Sequence, residues 1–435
     1  MSRFTYLNAE LHCDSVPLAR LAREYGTPLY VYSAPVIREN YRRLAAAFAA
    51  LCPLICFAVK ANFNLALLAR LKAEGAGFDI VSGGELYRVL TIGADPARVV
   101  FAGVGKTEAE LAYALEARVG WFNVESADEL ARLNALAAAR GELATVALRL
   151  NPGVEPDTHH HIQTGGAGSK FGLPVDEALA LVRRAAEFPA IAFRGAHIHI
   201  GSQIPNPAPT LQAIEIALDF IHQANANLAS SVTKSAATSI DHLDIGGGFP
   251  VPYHESDVYA SIEDFAAPIV ARLAPLADRL SFHLEPGRYI IADAGALVTT
   301  VQTVKEVSGR RTLVVDAGMN TLLRPALYDA YHQVLPLHQL SHLAPPTFNV
   351  SLTNIVGPIC ESSDVLARNR ELPPLEPGDQ LAFMNAGAYG FSMASHYNSQ
   401  PRPAEVLVEG EATRLIRRRE KYEDLIADET WPATA

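Results

Sequence analysis

Along most of the chain, short apolar, β-branched or aromatic runs alternate with longer Ala/Leu/Glu/Arg stretches at helical spacing, separated by polar or glycine-rich turns. The short runs predict strands over Leu54 to Val59, Gly77 to Val81, Val99 to Ala102, Trp121 to Val124, Thr145 to Leu150, Ala192 to Ile200, His242 to Ile245 and Ser281 to Leu284. Before them come a helix over Pro17 to Tyr25 that stops at Gly26, a strand over Pro28 to Tyr32, and a helix over Val36 to Leu51. Eight strand and helix units in alternation predict an α/β fold, a parallel (β/α)8 barrel whose chemistry gathers at the carboxyl ends of the strands.

The pattern changes near residue 295. Helical spacing fades and β-rich runs follow: Ala296 to Val307, Arg311 to Val315, Phe348 to Ile355, Gln380 to Met384 and Glu405 to Glu409, punctuated by Pro345-Pro346 and Pro373-Pro374. A charged stretch, Arg414 to Ile426, is expected to form a terminal helix. The expected division is a barrel over 30–294, a C-terminal β-rich domain over 295–420 on which residues 1–29 pack, and a tail over 421–435.

Composition narrows the function. With 49% hydrophobic and 19% charged residues the chain reads as an ordinary globular protein. Its 36 basic against 47 acidic residues give −11 with no basic run, so nucleic acid is not an expected partner. No signal-peptide pattern opens the chain and no stretch reaches the ~18 apolar residues of a membrane span, so a cytoplasmic protein that avoids membranes is expected. Cys13, Cys52, Cys56 and Cys360 are too few and too scattered for a disulfide framework. Cys52 and Cys56 have no partner pair at zinc-finger spacing, so no structural metal is expected.

The candidate chemistry lies at the predicted strand ends. Lys60 sits at the end of an apolar strand, where an ammonium must be paired, reach solvent or be used chemically; lysine forms Schiff bases with carbonyl compounds. Asp79 precedes Ser82-Gly-Gly-Glu85. His197 and His199 share one face of their strand and could bind a metal or lie over a planar cofactor. Gly246-Gly247-Gly248 lets backbone amides approach a phosphate, or simply makes a tight turn. Glu285-Pro286-Gly287-Arg288 sets an acid and a base around a turn. His159-His160-His161 reads as a solvated loop. In the β region, Arg324 with Tyr328 suits a carboxylate, Cys360 beside Glu361 in a Gly-Pro turn can move protons, and small residues frame Tyr389.

Taken in order, Phe57-Ala-Val-Lys60-Ala-Asn62, Phe78-Asp-Ile-Val-Ser-Gly-Gly-Glu85, His199-Ile-Gly-Ser-Gln203, Gly246 to Gly248, Glu285 to Arg288, Arg324 to Tyr328, Gly357 to Asp364 and Ala388-Tyr-Gly390 resemble the diaminopimelate decarboxylase family from about Leu11 to Val408. These are fold-type III pyridoxal-phosphate enzymes that pair an alanine-racemase-like barrel with a β domain. The resemblance implies decarboxylation of meso-2,6-diaminopimelate to L-lysine, the last step of lysine biosynthesis, with pyridoxal 5'-phosphate as cofactor. It implies that Lys60 carries the cofactor, His199 stacks on its ring and Glu285 pairs with the ring nitrogen. Asp79 also belongs to the cofactor site, and Ser202, Gly246, Gly247, Gly248, the Glu285-Pro286-Gly287-Arg288 backbone and Tyr389 hold the phosphate. Arg288, Arg324, Tyr328, Glu361 and Tyr389 bind the amino-acid substrate, and Cys360 returns a proton. It also implies a homodimer with Cys360 and Glu361 entering the partner's site. Alternatives are a related decarboxylase of ornithine, lysine, arginine or carboxynorspermidine, or a non-catalytic regulatory homologue. The stretch Ala229 to Ile240 reads as an insertion away from the site.

Overall fold

The computed structural model describes residues 4–155, 169–230, 239–307, 309–339 and 351–430. The three histidines 159 to 161, residues 231–238 of the expected insertion and Pro345-Pro346 lie outside the described residues. The chain forms two compact units: Glu39–Pro252 with Val258–Tyr289, and Met1–Arg38 with Tyr253–Asp257 and Ile290–Ala435.

The first unit is a closed barrel. Its strands are β1 (Leu54–Ala58), β2 (Gly77–Ile80), β3 (Val99–Phe101), β4 (Trp121–Val124), β5 (Ala144–Asn151), β6 (Ile191–Ile198), β7 (His242–Asp244) and β8 (Ser281–Leu284). Each pairs in parallel with the next, and β8 returns to β1 through His283↔Leu54 and Leu284↔Ile55. The eight predicted strands are all present, with ends shifted by at most two residues. The turns after the strands start helices with side-chain caps. Asn64 accepts from the Ala66 amide at 3.0 Å and Ser82 from the Glu85 amide at 3.2 Å, while Thr107 and Glu110 make a reciprocal capping box. Ser82-Gly-Gly-Glu85 is thus explained locally, because the Glu85 carboxylate turns back to accept the Val81 amide at 2.7 Å.

The second unit is a β structure assembled from both ends of the chain. Leu29–Ser33 lies between Gly295–Val307, its antiparallel neighbour, and Ala404–Glu409, its parallel one. All five of its residues are buried. The sheet continues through Arg310–Val315 and Ser351–Val356 to Val365–Leu372, a strand absent from the sequence reading because its charged residues 368, 370 and 371 mask the alternation. Its core joins Leu11, Leu18 and Leu21 to Val31, Val298, Ala382 and Val406.

One expectation fails here. Arg414 to Ile426 is not a helix: Ala412–Arg417 is a strand paired with Ala404–Glu409, and only Tyr422–Leu425 is helical. The alternation Thr413, Leu415, Arg417 fits an edge strand, and Arg417 reaches Glu405 on its neighbour at 2.6 Å. No helix among the described residues is long and apolar enough to cross a membrane.

Candidate active site

The carboxyl rim of the barrel collects the expected residues of this unit. β1 ends in a single tight turn, Val59–Ala61, which stops the strand and leaves the Lys60 side chain 37% exposed at the rim. Its Nζ donates to Asp79 Oδ2 at 2.7 Å, across the β1–β2 pair. Asp79 is fully buried. Burial and the neighbouring Glu285 push its carboxyl up to about 7, against the pull of Lys60.

Glu285, just past β8, is also buried. Its Oε1 accepts from Asn123 Nδ2 at 3.1 Å and its Oε2 lies 3.2 Å from His197 Nε2. Burial alone would raise this carboxyl. The His197 imidazole, by its field and its hydrogen bond, and then the Lys60 ammonium outweigh that and hold Glu285 well below the usual carboxylate range.

His199 is a neutral ring. Burial, then the charges of Arg149 and Lys60, take its pKa well below the usual value, and the Gly247 amide donates to its Nδ1 at 3.1 Å. That bond places the ring proton on Nε2. His197, inside β6, and His199, one residue past its end, therefore serve different partners.

The three glycines after β7 are required by the packing. Gly246 has φ +72°, and a Cβ there would strike the Ile198 carbonyl; a Cβ on Gly247 would strike the Glu285 carbonyl. Close approach of the β6, β7 and β8 ends leaves a side-chain-free strip of backbone at the rim. Beside it, Arg288 Nε donates to Ser202 Oγ at 3.1 Å, and the Ala58 amide donates to the Pro286 carbonyl at 3.0 Å, seating Gly287 against β1.

Sequence reasoning missed Asn123, Arg149 and Asp244, and did not see what His197 holds. Asn123 and Arg149 are polar residues inside apolar strands and Asp244 closes β7, and a buried-strand polar residue was the available signal. Arg149 pairs with Glu125 at 2.8 Å, beneath Phe171 at 4.7 Å from its ring centre.

The remaining expected residues lie in the β unit. Arg324 Nη1 donates to His332 Nε2 at 3.0 Å, and His332 Nδ1 donates to the Met384 carbonyl at 2.8 Å. The Tyr253 ring lies 4.6 Å from the guanidinium. Tyr328 ends the short helix Arg324–Tyr328. The Gly357–Asp364 turn is held from within: Asp364 accepts the Met319 and Ile359 amides at 2.6 and 2.7 Å, leaving Cys360 and Glu361 exposed. Glu361 accepts from the Tyr397 hydroxyl at 3.2 Å. Tyr389 has φ +56° between the small residues Ala388 and Gly390.

This donor set fits a pyridoxal cofactor: a rim lysine, a neutral flat imidazole, a buried ionised carboxylate and glycines whose places a Cβ would fill. Residues 35–292 match the family described as pyridoxal-dependent decarboxylase, pyridoxal binding domain. Diaminopimelate decarboxylase of Pseudomonas aeruginosa is 46% identical over 430 residues, covering 99% of each chain. The chain belongs to the diaminopimelate decarboxylase family. Another member, from Neisseria meningitidis serogroup A, is 45% identical over 96% of this chain and 98% of its own. The fold agrees: the crystal structure of the M. jannaschii diaminopimelate decarboxylase in co-complex with L-lysine superposes with a TM-score of 0.89 at 36% identity, covering 98% of both chains.

Proposed function

We propose that this protein decarboxylates meso-2,6-diaminopimelate to L-lysine and carbon dioxide, the last step of lysine biosynthesis, as a cytoplasmic homodimer. The observation that carries the reading is the facing pair at the barrel rim, a lysine on Asp79 and a Glu285 held ionised in a buried setting. Pyridoxal phosphate bound there supplies the electron sink for the bond that breaks when the α-carboxylate leaves. Lys60 anchors the cofactor, with Asp79 beside its amine. His199 covers one face with an uncharged ring, and Glu285 keeps the ring nitrogen protonated. Ser202, Gly246, Gly247, Gly248, the turn from Glu285 through Pro286 and Gly287 to Arg288, and Tyr389 hold the phosphate.

Diaminopimelate ends in a second amino-acid head, so its far end demands both cations and an anion. Arg288, Arg324 and Glu361, with Tyr328 and Tyr389, meet that demand, whereas ornithine or lysine would need mainly acids there. Cys360 returns a proton to the carbon that lost its carboxylate; with Glu361 it serves the partner subunit's site. All four cysteines are free thiols, as suits a reducing compartment.

The test is carbon dioxide release by purified, cofactor-loaded protein given meso-diaminopimelate, lysine, ornithine or arginine in parallel. Diaminopimelate should be turned over at least a hundredfold faster than the others, about 3 kcal/mol of discrimination. Lys60→Ala should lose both turnover and the absorbance of bound cofactor. Faster release from ornithine, or normal turnover by Lys60→Ala, overturns the reading.

A further inference from the structure

Inside the barrel, behind the rim, three strands aim polar side chains at Glu285. Asn123 comes from β4, His197 from β6 and Asp244 from β7, with His197 and Asp244 register partners. Nitrogen and carboxylate oxygen atoms of His197, Asp244 and Glu285 lie within 4.8 Å of one another. Each of these side chains is at least nine-tenths buried, where a polar group without a purpose is costly.

The hydrogen bonds have only one consistent direction. An ionised carboxylate only accepts, so Asn123 Nδ2 donates to Oε1 and His197 Nε2 must donate to Oε2. The other nitrogen of His197 makes no hydrogen bond among the described residues. Its ring is thus buried for one polar tie, the tie to Glu285. Asp244 accepts the Gly246 amide at 2.9 Å through Oδ1 and Asn123 Nδ2 at 3.5 Å through Oδ2. Burial and Glu285 push Asp244 well above the usual carboxylate range, in the opposite direction from Glu285.

We propose that His197 is a positioning residue for the decarboxylation: from inside the barrel its Nε2–H holds one oxygen of Glu285, so that the carboxylate stays charged and aimed at the cofactor's ring nitrogen. Asn123 steadies the other oxygen, and Asp244 ties the arrangement to the glycine strip. This rests on Glu285 facing that nitrogen, as proposed above. Without the His197 donor, Glu285 binds a proton more readily, and the proton it shares with the ring nitrogen moves from nitrogen to oxygen.

The experiment reads that proton directly. Protein loaded with pyridoxal phosphate labelled with nitrogen-15 in the ring is examined by solid-state NMR, with kcat and KM for meso-diaminopimelate measured on the same samples. Wild type should show the pyridinium resonance. His197→Leu and His197→Asn, whose side chains cannot donate at the Nε2 position, should shift it toward neutral pyridine and lower kcat about tenfold, with KM within about twofold. His197→Gln carries an amide N–H near that position and should restore both. If His197→Leu fails to fold, the Asn and Gln pair decides. A wild-type resonance in folded, cofactor-bound His197→Asn overturns the proposal. Glu285→Gln separates the two readings: if it leaves the ring nitrogen protonated, the role of Glu285 itself fails.

Discussion

Arg324 shows how a buried side chain prepares a charge for use. A guanidinium only donates, so the bond to His332 fixes that imidazole with its proton on Nδ1, where it meets the Met384 carbonyl. Two bonds in series, with the Tyr253 ring against the guanidinium, hold Arg324 before any substrate arrives. His332→Phe keeps the ring's bulk and removes the acceptor. A hydrogen bond to a charged group contributes about 1.5 kcal/mol, so KM for diaminopimelate should rise roughly tenfold with kcat within about twofold. A fall in kcat with unchanged KM would mean that Arg324 acts elsewhere than in binding substrate. At this scale the sequence was legible where a residue stands next to a turn: Lys60, Asp79, His199 and Glu285 each end a strand and announce themselves. Asn123, inside β4, does not, because its partner is 162 residues away; Asp244 closes β7 but its partner Glu285 is 41 residues on, and only barrel closure brings either to it.

Among elements, the β7 turn couples the strands on either side. Gly246 and Gly247 leave no room for a Cβ against the ends of β6 and β8, and the Gly247 amide sets the His199 ring. Gly247→Ala must push the Glu285 carbonyl aside, which should cost about 1–3 kcal/mol. Thermal unfolding should show the loss, and weaker binding of pyridoxal phosphate should accompany it. An unchanged Tm and an unchanged cofactor affinity would show that the turn yields easily. Barrel strands were readable because each is a short apolar run closed by a polar or glycine turn, and the period itself carries the fold. The last strand, Ala412–Arg417, was misread as helix. Two arginines in six residues and the adjacent Leu415-Ile416 pair blur its alternation, and what decides it is pairing with Ala404–Glu409, a tertiary contact that local pattern cannot weigh.

For the whole molecule, the proposed shared site makes a numerical prediction. Lys60→Ala and Cys360→Ala protomers, each nearly inactive alone, are mixed in equal amounts and allowed to exchange. Half of the dimers are then mixed, and each of these carries one intact site if Cys360 serves the partner. About a quarter of wild-type activity should return. With exchange confirmed by mass, no recovery would place both residues in the same subunit's site and refute the sharing while leaving the chemistry standing.

The placement of Leu29–Ser33 bears on how the chain is made. Its two neighbours, Gly295–Val307 and Ala404–Glu409, leave the ribosome long after it does, and the later of them only near the end of synthesis. At roughly ten residues per second, more than half a minute separates the first of these three strands from the last. During that interval the barrel segment between them can fold, while an apolar strand waits with both edges unpaired. Newborn chains therefore depend on whatever shields that strand, and slowing translation after the barrel should lower the yield of soluble protein without altering the specific activity of the molecules that finish.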